Sequence, residues 1–413
     1  MVEKKGLKQD NLIIKKEGLA QFYVYKIDEG QIPSKSMKVF YNQKMAINRD
    51  VSSLAIRTYY EMFDEDLVIV DSMAASGIGA IRILLECENV KEIYINDINP
   101  VAVELIRKNL VLNKIDEKSH IKIRISRKDA NYLFSKITQE SLISNESDFS
   151  RPNVVSIDPF GTPNIYVNSA FNAIQKSNGL MCVTATDTAV LFGIRSQACI
   201  RKYMAKPLHV EYSKEIGARI LIYFLSRMAN VNKMGVIPLL TFYSNHFIRV
   251  FLLTFKDQGK ITQNFDNYGY LIHCKECNNR WISSDVLNLE KKCSSCSELS
   301  KVDHAGPLWI GKIHDEAFLR AILRTNDKSP FQNKKRLSKI LMCALDELEM
   351  PISYYNIHGL CQTLNLSSVP KMEDVIALIE KNGFHASRTH FDFTSIKTDM
   401  KLDELKKMMI NQW

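Results

Sequence analysis

The chain has 413 residues, and its 55 Lys and Arg against 46 Asp and Glu leave a formal net charge of +9. That length exceeds one ordinary domain and points to two or three. With 46% hydrophobic and 24% charged residues the chain can bury a real core, which excludes disorder as the default, and its modest positive excess suits a polyanionic partner without requiring one.

Lys4, Lys5, Lys8, Lys15 and Lys16 crowd the N-terminus and read either as a solvated tail or as an RNA-contacting arm. The start is charged and lacks the apolar core of a secretory signal. No run of about 18 apolar residues occurs, so a cytoplasmic protein without a membrane segment is expected. Cys87, Cys182, Cys199, Cys343 and Cys361 stand singly in apolar surroundings, as reduced core thiols do in a reducing compartment. Nothing calls for an obligate protein partner.

The first ~50 residues mix strand-like segments with charged turns. From residue 67 the pattern becomes regular. Residues 67–70 predict a strand ending at Asp71, 80–86 a helix, and 92–95 a second strand ending at Asn96-Asp97. Asn99-Pro100 is a helix start, with Asn as cap and Pro at the first helical position, and the helix continues over 101–112. Strands follow at 121–125, 154–157 and 180–184, then a closing antiparallel pair at 236–242 and 247–254. Strands alternating with helices predict an α/β fold with a mostly parallel, Rossmann-like sheet, and the closing hairpin is what a methyltransferase-type variant adds. After a polar stretch at 257–267 comes a cysteine-rich segment, roughly 268–302. Helices are then expected at 318–323, 334–348, 354–364 and 372–381, with the look of a small winged-helix-like domain.

Ligands of open parallel sheets bind at the carboxyl ends of the strands. There the first strand runs through Asp71 into Ser72-Met73-Ala74-Ala75-Ser76-Gly77-Ile78-Gly79, small residues that let backbone approach a ligand. An ordinary strand-to-helix turn would look the same. Asp97, about 20 residues past this loop, stands where a carboxylate accepts from ribose hydroxyls. Asp129-Ala130 follows the third strand, where a carboxylate can accept from an adenine amine. Three acids at successive strand ends favour a nucleoside-bearing cofactor. A nicotinamide dinucleotide would fit the first two, but its loop normally holds three glycines and here only Gly77 and Gly79 are present.

The fourth strand ends in Asp158-Pro159-Phe160-Gly161. An exocyclic nucleobase amine is a poor nucleophile because its lone pair is shared with the ring. Asp158 can accept a hydrogen bond from such an amine and then its proton. The Pro159 carbonyl, held by the fixed φ of proline, can accept the second N–H, and Phe160 can stack on a displaced base. The alternative is a plain turn in which Phe160 plugs a core and Asp158 caps a helix.

These residues, with Phe40-Tyr41-Asn42, Met45, Asn48-Arg49-Asp50, Asp158-Pro159-Phe160-Gly161-Thr162-Pro163, Thr184-Ala185-Thr186-Asp187-Thr188, Arg201-Lys202-Tyr203, Glu215-Ile216-Gly217, Gly306-Pro307-Leu308-Trp309, Ser387-Arg388-Thr389-His390-Phe391 and Ile396-Lys397-Thr398-Asp399, resemble the tRNA guanine-26 N2-dimethyltransferases of archaea and eukaryotes along nearly the whole chain. The resemblance implies a class I methyltransferase domain, S-adenosyl-L-methionine as cofactor and tRNA as partner. It also implies two successive transfers to guanine N2, giving N2,N2-dimethylguanosine. It gives Arg49 to the methionine carboxylate, Asp97 to the ribose, Asp129 and Ala130 to the adenine, and Asp158 to catalysis, beside the loop residues Asp71, Gly77 and Gly79 and the Pro159 and Phe160 read above from residue type. This chain departs from the family at Gly79, where an arginine is usual, and at Gln43, where proline is common. Rival readings are an amino-methyltransferase of DNA or of another RNA guanine, and a tRNA-binding protein that has lost catalysis.

Cys274-x2-Cys277 and Cys293-x2-Cys296 have the spacing of a structural zinc ribbon, whose four thiolates leave no open coordination position for water. His273 and His304 are adjacent substitutes as ligands. Lys275, Arg280, Trp281, Lys291 and Lys292 read as a solvated face or an RNA contact. Arg388, His390 and Lys397 read as phosphate contacts or as fold-back packing, and His246 as a structural histidine. The expected organisation is an N-terminal extension over 1–60 packing on the core, the methyltransferase domain over 61–260, the zinc ribbon over 261–305 and a winged-helix-like tRNA-binding domain over 306–413.

Overall fold

The computed structural model describes residues 12–28, 36–115, 120–143, 150–285, 292–298 and 300–413. Lys4, Lys5 and Lys8 lie outside them. Strands β1 (Leu12–Glu17) and β2 (Ala20–Tyr25) form a hairpin turned at Gly18, whose φ of +56° suits a glycine. Helix α1 (Ala46–Phe63) follows. Its helical character is hidden in the sequence because Asn48, Asp50, Ser53 and Thr58 are buried along with its apolar residues, so no clean apolar stripe marks the inner face.

The main body alternates β3 (Leu67–Asp71), α2 (Ile78–Glu86), β4 (Val90–Asn96), α3 (Pro100–Leu112), β5 (Lys122–Ser126), α4 (Ala130–Ile143), β6 (Val154–Ile157), α5 (Asn164–Ala173) and β7 (Leu180–Ala185). Helices α6 (Thr188–Leu191), α7 (Ser196–Tyr203) and α8 (Ser213–Val231) lead to β8 (Gly235–Ser244) and β9 (Phe247–Phe255). The seven strands lie in the order β5-β4-β3-β6-β7-β9-β8. Strands β3 to β7 are parallel, and β9 is antiparallel to both its neighbours. The closing hairpin thus inserts its second strand and leaves β8 at the edge, where Pro238 sits at a register shift, a place that tolerates a missing N–H. The asparagine cap before α3 is present, Asn99 accepting from Val101 N at 2.9 Å.

Alternate residues of β3 serve opposite faces. Val68 and Val70 pack with α4, α5 and α8, while Leu67 and Ile69 pack with α1 and α2. The chain steps outward through β3, β4 and β5, then returns to place β6 on the other side of β3. The crevice opened by that reversal is where a ligand belongs.

After α9 (Gln258–Gln263), strands β10 (Tyr268–Cys274), β11 (Arg280–Ser283) and β12 (Val302–Trp309) form a small sheet in the order β11-β10-β12. Leu271, Leu308 and Trp309 join the core beneath α8. Helices α10 (Glu316–Asp327) and α11 (Lys334–Asp346) send Phe318, Leu319, Ile322, Leu337 and Leu341 into the core on the α1 side. The last unit has its own core around Ile357, Val375, Ile379, Ile396 and Leu405. It comprises β13 (Tyr355–Asn356), α12 (Ile357–Thr363), α13 (Met372–Lys381), β14 (Ala386–Arg388), β15 (Ser395–Thr398) and α14 (Leu402–Gln412). The helix expected from 354 starts at Ile357, because Asn356 caps it by accepting from Gly359 N at 2.8 Å. No helix among the described residues is long and apolar enough to cross a membrane.

Buried charge joins this last unit to the main body. Lys397 on β15 reaches Glu215 on α8 at 2.8 Å, and Arg219 holds the same carboxylate at 2.9 Å. His390 is bonded to Glu347. His390 and Lys397 are both almost fully buried, so of the two readings of these residues the structure takes packing, and neither faces solvent phosphate. Arg388 is paired with Glu373. Removing one partner of a buried pair leaves an uncompensated charge. Lys397→Met is therefore expected to cost about 3 kcal/mol, and hydrogen exchange should rise in β15 while β3 to β7 stay protected. Unchanged exchange in β15 would contradict this.

Candidate active site

A cavity of about 570 Å³ opens at the carboxyl ends of β3 and β6, bounded by α1 and the β8–β9 turn. Asp71, Ala74, Ala75, Gly79, Arg49, Asp158, Pro159 and Phe160 line it, as do Phe40, Asn42, Asn48, His246 and Arg249.

Its floor is the β3–α2 loop. Gly77 has φ +78°, and a Cβ there would come within 3.0 Å of the Ile106 side chain, so only glycine fits. The loop is anchored from the next strand. Asp97 accepts from Ala75 N at 2.8 Å and from Asn99 N at 2.8 Å. Asn96, fully buried, donates to the Ser72 and Lys128 carbonyls and accepts from Ser126 Oγ and Lys128 N. One asparagine amide thereby fixes three chain segments, a role that nothing in its neighbourhood signals. Asp129 is exposed and caps α4, accepting from Asn131 N at 2.9 Å, and Ala130 is buried behind it. Asp71 and Gly79 thus line the cavity directly. Asp97, Asp129 and Ala130 stand at neighbouring strand ends outside its lining, and Gly77 shapes the loop.

Asp158 leaves β6 and accepts from Asn48 Nδ2 at 3.0 Å. Gly161, at φ +109°, pins the following turn by donating to Thr186 Oγ1 at 2.7 Å. Phe160 therefore cannot plug the core. It is 53% exposed at the cavity mouth and meets Phe40 edge-on, ring centroids 5.7 Å apart. Burial pushes the Asp158 carboxyl above its ordinary value, while Arg249 beside it pulls the other way. Burial, then the charges of Asp158 and Asp97, push the Asp71 carboxyl up to about 7.

Arg49 lines the cavity, but its Nε and one terminal nitrogen are taken by Glu17 at 2.6 and 2.7 Å. Gly79 sits beside Asp71, and a Cβ there would make an ordinary contact 3.5 Å from Asp71 Oδ2. One turn on, Arg82 is buried among Glu17, Asp50 and Glu86. His246, expected to be structural, faces the cavity with Nε2 3.2 Å from Asn42 Nδ2. Burial lowers its pKa.

The four cysteines converge from two matching turns. Asn278 N returns to the Cys274 carbonyl and Ser297 N to the Cys293 carbonyl, each at 2.9 Å, with left-handed Asn278 and Ser297 making the bends. The sulfur atoms all lie within 4.8 Å of one another, so the cluster can hold one metal ion. His273 is instead bonded to Tyr212 OH at 2.8 Å, and His304 lies against the Tyr270 ring. Arg280 turns inward between the Tyr212 and Tyr355 rings, 4.5 and 3.8 Å from their centroids, so it presents no face to RNA. Lys275 is paired with Asp303, and Lys291 lies outside the described residues. A second group, His314, Glu347 and His390, is also close enough to hold an ion. There Thr241 N donates to His314 Nδ1 at 3.3 Å, which puts the ring proton on Nε2, 3.5 Å from the Glu347 carboxylate.

Residues 18–410 match the family described as N2,N2-dimethylguanosine tRNA methyltransferase. The chain is 36% identical to the tRNA (guanine(26)-N(2))-dimethyltransferase of Methanosphaera stadtmanae, covering 90% of this chain and 91% of that one. It is 31% identical to the tRNA (guanine(26)-N(2)/guanine(27)-N(2))-dimethyltransferase of Aquifex aeolicus over 96% and 95% of the two chains. Its fold matches Trm1 from Pyrococcus horikoshii, solved in complex with S-adenosyl-L-methionine, with a TM-score of 0.80 at 27% identity over 96% and 99% of the chains.

Because the folded-state pKa of Asp71 lies above its ordinary value, its contribution to stability is lost as pH rises toward about 7. Asp71→Asn keeps the uncharged form at every pH. The variant's thermal midpoint should therefore gain on the parent's between pH 5 and pH 8. A difference that does not change with pH would show that Asp71 ionises normally.

Proposed function

The chain belongs to the N2,N2-dimethylguanosine tRNA methyltransferase family, and from that premise we propose that the β3–β6 cavity is where its methyl transfer occurs. The protein is a tRNA (guanine(26)-N(2))-dimethyltransferase that uses S-adenosyl-L-methionine. The observation that carries the placement is Asp158, held by Asn48 in the same cavity as Asp71 and beside the exposed Phe160 ring.

The residues present fit the cofactor. Acidic side chains suit its sulfonium and ammonium, and the small-residue loop and Gly79 leave room for it. Asp71 and the backbone of the Ser72–Gly79 loop would hold it, and we assign Asp97 to the ribose, Asp129 and Ala130 to the adenine and Arg49 to the carboxylate. Arg49 must share its charge with Glu17. When bound, the cofactor supplies an electrophilic methyl group on sulfur.

The guanine has to leave the tRNA stack to reach Asp158. Phe160 then stacks on it, Asp158 accepts one N2–H and the Pro159 carbonyl the other. As the N2 lone pair forms the new C–N bond and the S–CH₃ bond breaks, the Asp158 carboxylate takes the proton that N2 sheds. Once Asp158 has released that proton to water and a second S-adenosyl-L-methionine has replaced the spent one, the remaining N–H turns to Asp158 and is used in the same way. Alignment of amine and methyl does much of the work.

The four-cysteine cluster is read as a structural Zn²⁺ site. The unit from β13 onward, two helices followed by a β-hairpin, is read as winged-helix-like, and with 306–352 as the tRNA-binding part. The domain assignment stays at 1–60, 61–260, 261–305 and 306–413.

Incubation with unmodified tRNA transcripts, followed by nucleoside mass spectrometry and site mapping, should yield N2,N2-dimethylguanosine at position 26. Asp158→Ala should lower the transfer rate by about 10³-fold while tRNA binding persists. A wild-type rate in that variant would remove Asp158 from the mechanism. Metal analysis should find about one zinc per chain, lost in Cys277→Ser together with thermal stability. Freshly purified protein without zinc would refute the ribbon.

A further inference from the structure

Strand β9 carries Arg249 opposite Thr184 of β7, directly beneath the cavity. The guanidinium is 2% exposed. It donates to Thr184 Oγ1 at 2.7 Å, to Ser52 Oγ at 3.0 Å and to Ser156 Oγ at 3.4 Å, and its Nε has no partner. Other buried arginines of this chain, Arg82 and Arg219, sit on carboxylates. Arg249 instead meets three hydroxyls and no ion-pair partner among the described residues, an expensive arrangement for a desolvated cation.

The hydroxyl it meets leads to Asp158. Thr184 Oγ1 accepts from Arg249 and, at 3.3 Å, from Asn48 Nδ2. A hydroxyl with both acceptor sites engaged has its proton free to donate, and the Thr184 hydroxyl favours the charged form of Asp158. Asn48 Nδ2 also donates to Asp158 Oδ2 at 3.0 Å. Turning the Asn48 amide over would set its oxygen against the Asp158 carboxylate, so its orientation is fixed although its Oδ1 goes unpartnered. Donor chains of this kind polarise along their length.

We propose that Arg249 is a positioning residue for methyl transfer, which through Thr184 and Asn48 orients the Asp158 carboxylate toward the amine and supplies the positive charge beneath it. The inference rests on the reading of Asp158 as the proton acceptor. Burial favours the neutral acid at Asp158, and a neutral acid accepts no proton. The charged and titratable groups facing Asp158 are Asp71 on β3, with Asp97 beyond it after β4, Arg49 on α1, His246 in the β8–β9 turn and Arg249 on β9. Glu17 already holds Arg49 and burial lowers the His246 pKa, so Arg249 is the principal counterweight to burial and to Asp71.

The test is the single-turnover methylation rate against pH, with saturating S-adenosyl-L-methionine and unmodified tRNA. The acidic limb should move up by about one pH unit or more in Arg249→Met and return toward the wild-type position in Arg249→Lys. The same displacement should persist in an Asp71→Asn background, which assigns the limb to Asp158. Thr184→Val, which keeps shape and loses the hydroxyl, should lower the rate about tenfold or more without changing the KM for tRNA. An unmoved limb in folded Arg249→Met, loss of the displacement in the Asp71→Asn background, or a wild-type rate in Thr184→Val would each overturn the proposal. If Arg249→Met does not fold, Thr184→Val alone decides it. A wild-type rate in Asp158→Ala would instead defeat the underlying reading, so the two failures are distinct.

Discussion

Three carboxylates, Asp97, Asp71 and Asp158, stand side by side at the carboxyl ends of β4, β3 and β6. Parallel neighbours force this proximity, because their side chains emerge at one end of the sheet. Like charges confined around one crevice repel, and partial burial adds to the cost. The structure disperses the strain differently at each acid. Asp97 spends its charge on the N–H groups of Ala75 and Asn99, Asp158 receives Asn48, and burial with the neighbouring charges pushes the Asp71 carboxyl up to about 7. On the proposed assignment, that negative potential would attract a cationic methyl donor. An apo site that is electrostatically unsatisfied and becomes satisfied on binding is a direct route to affinity.

Around this centre the remaining charge is arranged in closed groups. Arg82 gathers Glu17, Asp50 and Glu86 behind the loop, tying the N-terminal hairpin to α1 and α2. Glu215, Arg219 and Lys397 do the same between α8 and the last unit. The N-terminal segment and the C-terminal unit therefore meet the methyltransferase body through buried ion groups. Such contacts fix orientation because misplacing a partner strands a charge.

Much of this was legible in the sequence, and for physical reasons. Apolar runs ending in acids mark strands of a parallel sheet and the edge that binds ligand, and Asp71 and Asp158 fall there. Asp158-Pro159-Phe160 stood out as a candidate by residue type, and the cysteine spacing implied two turns closing on one point. What stayed hidden depends on tertiary environment. Helix α1 buries Asn48 and Asp50 and so shows no apolar stripe. Arg249 reads as a polar interruption of an apolar strand until β9 is seen paired with β7. His246 reads as structural until the β8–β9 turn brings it to Asn42. Asp129 also caps α4 through Oδ1, a role that any acid at a helix start can take and that residue type alone does not distinguish.

The central claim is that the amine, the Asp158 carboxylate and the methyl donor meet in the β3–β6 cavity. A crystal structure of the protein with S-adenosylhomocysteine and unmodified tRNA tests this most directly. The account predicts guanine 26 out of its stack against Phe160, with N2 within about 3.2 Å of Asp158 and facing the sulfur. A base seated elsewhere, or an Asp158 turned away from N2, would contradict it.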